Sequence, residues 1–195
     1  MDFKKTFKNK KILITGHTGF KGSWLYYILK LCDAKVFGYS LLPRSKPSLF
    51  EKIADNENNS FNDINNKKEL EKAINNFDPE IIFHLAAQPL VIPSYLDPYE
   101  TFFTNIMGTI NLLNISRKCP SVKSIIIVTS DKVYENKEWN YGYRESDKLG
   151  GHDPYSASKA ATEIVADSFK KSFLEKENVI LSTARAGNVI GGGDW

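Results

Sequence analysis

The feature that most constrains this chain is a short apolar run, Lys11-Ile12-Leu13-Ile14-Thr15, which breaks at once into Gly16-His17-Thr18-Gly19-Phe20-Lys21-Gly22. An unbroken apolar run of this length reads as a parallel strand buried on both faces. Phe20 to Leu31 then carries Trp24, Leu25, Ile28 and Leu29 at helical spacing. The same alternation continues along the chain. Lys35–Tyr39 reads as a second strand, Phe61 sits on a brief third, Glu80–Ala86 is a fourth, Lys123–Ser130 a fifth and Val179–Ala184 a sixth. Helices are expected over Lys67–Phe77, Tyr99–Lys118 and Pro154–Phe173, with Pro154 in a first turn where its missing N–H costs nothing. Residues 43–60, rich in Pro, Ser and Asn, and the aromatic-rich stretch Glu135–Asp153 read as loops. Strands alternating with helices, joined by right-handed crossovers, imply an α/β fold: a doubly wound parallel sheet with helices on both faces.

Composition narrows the class. The 195 residues suffice for one domain, and 42% apolar with 25% charged residues is ordinary globular usage. Lys and Arg total 26 against 23 Asp and Glu, with no basic stripe, so nothing argues for nucleic acid. No apolar stretch approaches the roughly 18 residues of a membrane span. The start, Met1-Asp2-Phe3-Lys4-Lys5, has no signal-peptide core and is expected to lead straight into the first strand. Cys32 and Cys119 form neither a zinc spacing nor a disulfide framework, and a reducing cytoplasm fits these features. The last residues, Gly191-Gly192-Gly193-Asp194-Trp195, are of a kind that precedes more structure, so a C-terminal portion is expected beyond them.

Glycines at 16, 19 and 22 permit a tight turn, close backbone approach to a pyrophosphate and close packing of helix on strand. The helix N-terminus behind them offers free N–H groups to phosphates. The spacing is G-x-x-G-x-x-G, and a P-loop fails because Gly22, not Ser or Thr, follows Lys21. A plain tight turn without ligand stays open from the triplet alone. Many dinucleotide folds place Asp or Glu at the end of the second strand for the ribose hydroxyls. Here that site reads Tyr39-Ser40-Leu41, with Arg44 nearby. Ser40 suits a ribose hydroxyl and Arg44 a 2′-phosphate, which leaves both NAD and NADP open. Asp63 suits the adenine amino group or is a solvated loop carboxylate. The small residues of His84-Leu85-Ala86-Ala87-Gln88 suit a cofactor floor, with His84 itself read as a satisfied core histidine.

Tyr155 and Lys159, at i and i+4, share one helical face. An ammonium beside a phenol favours the phenolate, so the Tyr155 pKa is expected to fall. Such a phenol can take a proton from a sugar hydroxyl as hydride leaves the carbon. Ser130, at the end of the fifth strand, can hydrogen-bond the reacting oxygen, and Asn105 lies in the long helix before it.

The glycine turn, Ser130 and Tyr155-Ser156-Ala157-Ser158-Lys159 together resemble the extended short-chain dehydrogenase/reductase family. Within it, Thr129-Ser130-Asp131-Lys132-Val133-Tyr134 resembles the nucleotide-sugar 4,6-dehydratases, in which the two residues after the hydroxyl serve elimination. Most such enzymes place Asp-Glu there; Asp131-Lys132 looks like the CDP-glucose branch. His17–Trp24, Leu85–Val91, Gly150–Tyr155 and Arg185–Trp195 are similar to that branch as well, and together these stretches span essentially the whole chain.

The resemblance implies a Rossmann-type NAD-binding domain over residues 1–195, with the C-terminal substrate lobe absent from this chain. It implies cofactor contacts at Gly16, Thr18, Gly19, Phe20, Gly22, Ser40, Arg44, Asp63, Ile64, Leu85, Ala86, Ala87, Gln88, Thr104, Tyr155 and Lys159, and no metal. Substrate contacts are implied at Gln88, Asn105, Ser130 and Asn188, and Trp139, Tyr141, Tyr143 and Arg144 are candidates to cover the sugar. Asp131 is implied as the acid and Lys132 as the base, or as a cation that stabilises the enolate. The implied substrate is CDP-glucose. The implied assembly is a homodimer or higher homo-oligomer, through the helices at 99–118 and 154–173. A 4-epimerase or reductase of the same family, or a cofactor-binding fragment without catalysis, are the competing readings.

Overall fold

Six parallel strands form the centre of the computed structural model, which describes residues 2–53 and 58–194. Met1, Trp195 and part of the Asn-rich stretch near 56 lie outside the described residues. The strands are β1 (Lys11–Thr15), β2 (Lys35–Ser40), β3 (Asn59–Phe61), β4 (Ile81–His84), β5 (Ser124–Val128) and β6 (Ile180–Ala184). They lie in the order β3-β2-β1-β4-β5-β6, every neighbouring pair parallel.

The apolar run of β1 is explained by its central position. Leu13 faces one side, where it packs in a cluster with Ile82, Ile125 and Leu181. Ile12 and Ile14 face the other, with Tyr26, Leu29 and Val36. Burying each such side chain contributes roughly 1.5–3 kcal/mol. Helices α1 (Phe3–Phe7) and α2 (Phe20–Leu31) cover the Ile12 face. Helices α4 (Lys67–Phe77), α7 (Gly108–Ser116) and α8 (Pro154–Phe169) cover the Leu13 face. The strand order reverses direction between β1 and β4, and a crevice opens at their C-terminal ends, where doubly wound sheets bind ligands.

The structure adds short elements that periodicity does not reveal. α1 precedes β1, capped by Asp2, whose carboxylate accepts from the Lys5 N–H. Within 43–60 lies α3 (Leu49–Ile53), held down by buried Phe50, which meets the His17 ring edge-on at 4.8 Å. The long helix expected over 99–118 is divided. α5 (Val91–Leu96) and α6 (Pro98–Phe102) come first, then a π-helical turn at Phe103–Met107, then α7. Asp97 separates α5 from α6 and accepts from the Glu100 N–H. α8 also ends in a π-helical turn, Lys170–Leu174. No helix among the described residues is long and apolar enough to cross a membrane.

Candidate active site

The glycine-rich turn is shaped by contacts that only glycine permits. Gly16 has φ +75°, and a Cβ there would lie 2.6 Å from the Ala86 nitrogen at the end of β4. A Cβ on Gly22 would lie 2.1 Å from the Gly16 carbonyl oxygen, so α2 could not approach β1 as it does. Gly19 caps α2 without a side-chain hydrogen bond. The N–H groups of the first helical turn are therefore left for an anion.

Beneath the turn a buried chain of hydrogen bonds fixes the end of β4. The Thr109 hydroxyl donates to the Asn105 carbonyl, so it accepts from His84 Nε2–H at 3.0 Å. His84 Nδ1 then accepts from the Thr15 hydroxyl at 2.7 Å, and Thr15 Oγ1 in turn accepts from the Ala86 N–H. Every member is satisfied when His84 is neutral. Burial, reinforced by the charge of Lys159, holds its pKa down at about 3. The histidine is thus a core residue that aims the Ala86 backbone into the crevice.

The crevice is a cavity of 790 Å³. Gly16, Thr18, Gly19, Phe20, Gly22, Ser40, Arg44, Asp63, Ile64, Leu85, Ala86, Ala87, Thr104, Tyr155, Lys159 and Asn188 all line it. Tyr155 and Lys159 come from the start of α8, whose N-cap Asp153 accepts from the Ser156 N–H. The Ser94 hydroxyl accepts from the Tyr155 N–H and so braces the same turn.

The charges differ from the simplest expectation. Lys159 is buried and its amine donates to the Val128 carbonyl at 3.2 Å. Burial, then the neighbouring Lys21 charge, lowers its pKa to about 8, against the pull of Glu163. The Tyr155 phenol is pushed up rather than down. Burial is the largest cause and the Asp131 and Asp153 carboxylates add to it, while a hydrogen bond with Ser130 opposes them. In this arrangement the helical spacing of Tyr155 and Lys159 is not enough to activate the phenol.

Ser130 is buried at the end of β5; its hydroxyl donates to Asp131 and accepts from the Lys132 N–H. Asp131 and Lys132 form one turn of 3-10 helix and pair with each other at 3.6 Å. The Lys132 side chain is 42% exposed, so burial does not enclose its amine here.

Three residues expected at the substrate, Asn105, Gln88 and Ser130, are buried, and none of them lines the cavity. The Asn105 amide donates to the Gln88 carbonyl and the Ser158 hydroxyl, and its oxygen accepts from the Gln88 N–H. The Gln88 side chain closes a turn with Leu90 and donates to Thr101. Their polar capacity is used inside the protein, where they tie the β4 end to α8. The aromatic loop likewise stacks on itself, Trp139 on Tyr141 at 4.6 Å and Tyr143 on Tyr134 at 4.9 Å. None of its residues lines the cavity.

Other lining residues were given no role from the sequence. The segment after β6 folds back so that Val189, Ile190, Gly193 and Asp194 wall the cavity. The Trp24 indole N–H donates to the Gly192 carbonyl at 2.9 Å, and Gly193, at φ +92°, lies against Leu49. Lys21 also lines the cavity and interacts electrostatically with Asp131 and Lys159. Its side chain comes from the glycine turn, so only the fold brings it to α8.

The profile of the GDP-mannose 4,6 dehydratase family matches residues 13–188. This chain belongs to that family. The chain is 47% identical over 199 residues to CDP-glucose 4,6-dehydratase of Salmonella typhimurium, covering 98% of this chain and 55% of that protein. Its fold matches UDP-glucose 4-epimerase from Thermotoga maritima, solved with UDP-glucose, with TM-score 0.83 and 27% identity, over 93% of this chain and 57% of the other. It also matches the Thermus thermophilus UDP-glucose 4-epimerase in complex with NAD, with TM-score 0.82 and 28% identity, over 92% and 56% of the two chains. The chain spans about half the length of the relatives it matches.

Proposed function

We propose that this chain forms the cofactor-binding part of a nucleotide-sugar 4,6-dehydratase acting on CDP-glucose, with CDP-4-keto-6-deoxyglucose as product. The observation that carries this reading is the convergence of the glycine turn, Tyr155 and Lys159 on one cavity, beside the Ser130-Asp131-Lys132 turn. The residues fit a nicotinamide dinucleotide. Gly16 and Gly22 leave room for backbone but not for Cβ, and the uncapped α2 N-terminus faces the crevice where a pyrophosphate would lie.

Bound there, a nicotinamide would supply the acceptor for the C4 hydride and the donor of a hydride to C6. Tyr155 accepts the C4 hydroxyl proton, and Ser130 hydrogen-bonds the same oxygen. The raised phenol falls into range only when further positive charge is brought close to it as the site fills. The new ketone acidifies the C5 proton. Lys132, in its neutral form, removes that proton and returns it to C5 when hydride reaches C6, and Asp131 protonates the C6 hydroxyl as it leaves as water. This role for Lys132 requires its exposed amine to be covered by substrate and by further protein.

The likeness to 4-epimerases supports a second reading, in which only Ser130, Tyr155 and Lys159 act. Product analysis by NMR after incubation with CDP-glucose and NAD⁺ separates the two. A 4-keto-6-deoxy sugar supports the dehydratase; CDP-galactose supports the epimerase. Tyr155→Phe lowers turnover by about 10²–10⁴-fold. Unchanged turnover in that variant removes Tyr155 from its role.

A further inference from the structure

We propose that Arg185 is a positioning residue for water elimination: together with Glu163 it clamps both ends of the turn that carries Asp131 and Lys132, and so sets where those two side chains stand. The inference rests on the dehydratase reading and adds to it a residue that does not line the cavity.

Asp131 and Lys132 are exposed, so packing around their side chains does little to hold them. Their position depends on the backbone of the 3-10 turn Asp131–Val133. Before that turn, the Thr129 hydroxyl donates to the Glu163 carboxylate. At its start, the Asp131 N–H donates to the carbonyl of Ala186, the neighbour of Arg185. After it, the Tyr134 hydroxyl accepts from one guanidinium nitrogen of Arg185 at 3.0 Å. The other terminal nitrogen donates to Glu163 at 2.9 Å, which joins the two ends.

A guanidinium suits this task. Its rigid fork reaches Glu163, Tyr134 and the Glu145 carbonyl at once, whereas a single ammonium cannot span the same partners in one geometry. The Glu163 and Arg185 side chains are only 5% and 16% exposed, so water competes little for these bonds. Tyr134 is steadied from its far side by the stacked Tyr143 ring and by a bridge to Leu149. The turn is thus fixed at its C-terminal end through one hydroxyl.

The groups assigned to C4 oxidation are held by other contacts. Lys159 donates to the Val128 carbonyl, and Ser94 and Asp153 brace the first turn of α8 that carries Tyr155. Neither Arg185 nor Tyr134 takes part in these bonds. Glu163 acts on both sides, since its charge is felt by Lys159, so the informative variants leave Glu163 in place. Misplacing a reacting group by about 1 Å costs up to about 10²-fold in rate. Loosening the Arg185 end of the clamp therefore slows elimination and spares oxidation.

Tyr134→Phe removes only the hydroxyl that Arg185 bonds, and Arg185→Lys keeps the charge beside Glu163; if the second does not fold, the first decides alone. Hydrogen exchange on the protein without substrate should show the amides of Asp131–Tyr134 exchanging about tenfold faster in the variants, with β1, α8 and the melting temperature unchanged. With CDP-glucose and NAD⁺, the near-ultraviolet absorbance of reduced nicotinamide reports C4 oxidation, and the 4-keto-6-deoxy product reports elimination. Product formation should fall by roughly ten- to a hundredfold while reduced nicotinamide forms at the wild-type rate and accumulates. Unchanged exchange at Asp131–Tyr134, or faster exchange across the whole sheet with a lower melting temperature, overturns the inference and leaves the dehydratase reading standing. An equal loss of oxidation and elimination overturns it as well. A wild-type protein that makes no 4-keto-6-deoxy product overturns the dehydratase reading and the inference together.

Discussion

Glu163 shows how much one residue of α8 can hold together. Its carboxylate is buried and accepts from Thr129 at the end of β5, from Thr183 in β6 and from Arg185 just after β6. Burial alone would raise its pKa, but these hydrogen bonds, Arg185 first, outweigh that and bring it below the usual range. Arg185 in turn lies over the Tyr134 ring, 5.0 Å from its centroid, and donates to the Tyr134 hydroxyl and the Glu145 carbonyl. Removing the carboxylate leaves a mostly buried guanidinium without its counter-charge. Glu163→Ala should therefore cost about 3 kcal/mol of stability in urea unfolding, consistent with breaking a buried pair from one side. A loss below about 1 kcal/mol would mean that the pair behaves as an exposed one.

Among the helices, α5 and α6 present an apolar face that is left open among the described residues. Ile92 and Leu96 on α5 and Tyr99 on α6 are strongly exposed, Leu96 at 83%. Ile164 of α8 is exposed too. Exposed aliphatic and aromatic side chains grouped on helices mark an association surface. The occupant we expect is a second copy of this chain, joined through the helices around 91–103 and 154–169. Light scattering after size exclusion should show a dimer or larger species, and Leu96→Arg should shift it towards monomer without lowering the melting temperature. A wild-type monomer at micromolar concentration would end this expectation.

Stability of the whole molecule should fall in mild acid. Burial depresses the His17 pKa to about 4, opposed only by the Tyr39 backbone, and burial with Lys159 depresses His84 to about 3. The unfolded chain regains values near 6.5. Between pH 6.5 and 4 the unfolded state therefore binds more protons than the folded state, so stability rises with pH in this window and is lost on acidification. Each histidine costs on the order of 2 kcal/mol at pH 5 relative to pH 7.5. Glu163, with its lowered carboxyl, acts in the same direction at lower pH. Melting temperatures measured from pH 7.5 to 5 should drop steadily; a flat profile would show that these rings are not buried neutral in solution.

The alternation of β1 to β6 with their helices was legible in the sequence because local patterning carries it. Residues 12–14 are apolar without a break since both sheet faces are covered, and Gly16 and Gly22 are glycine since backbone passes within a Cβ's reach. Tyr155 and Lys159 were legible because four residues set one helical face. Three things were decided only by the tertiary structure. The Asn105 and Gln88 amides turn inward to each other, the segment after β6 returns to wall the cavity, and the Tyr155 phenol is raised. Each depends on groups far apart along the chain, on burial and on long-range charge, and sequence spacing encodes none of these.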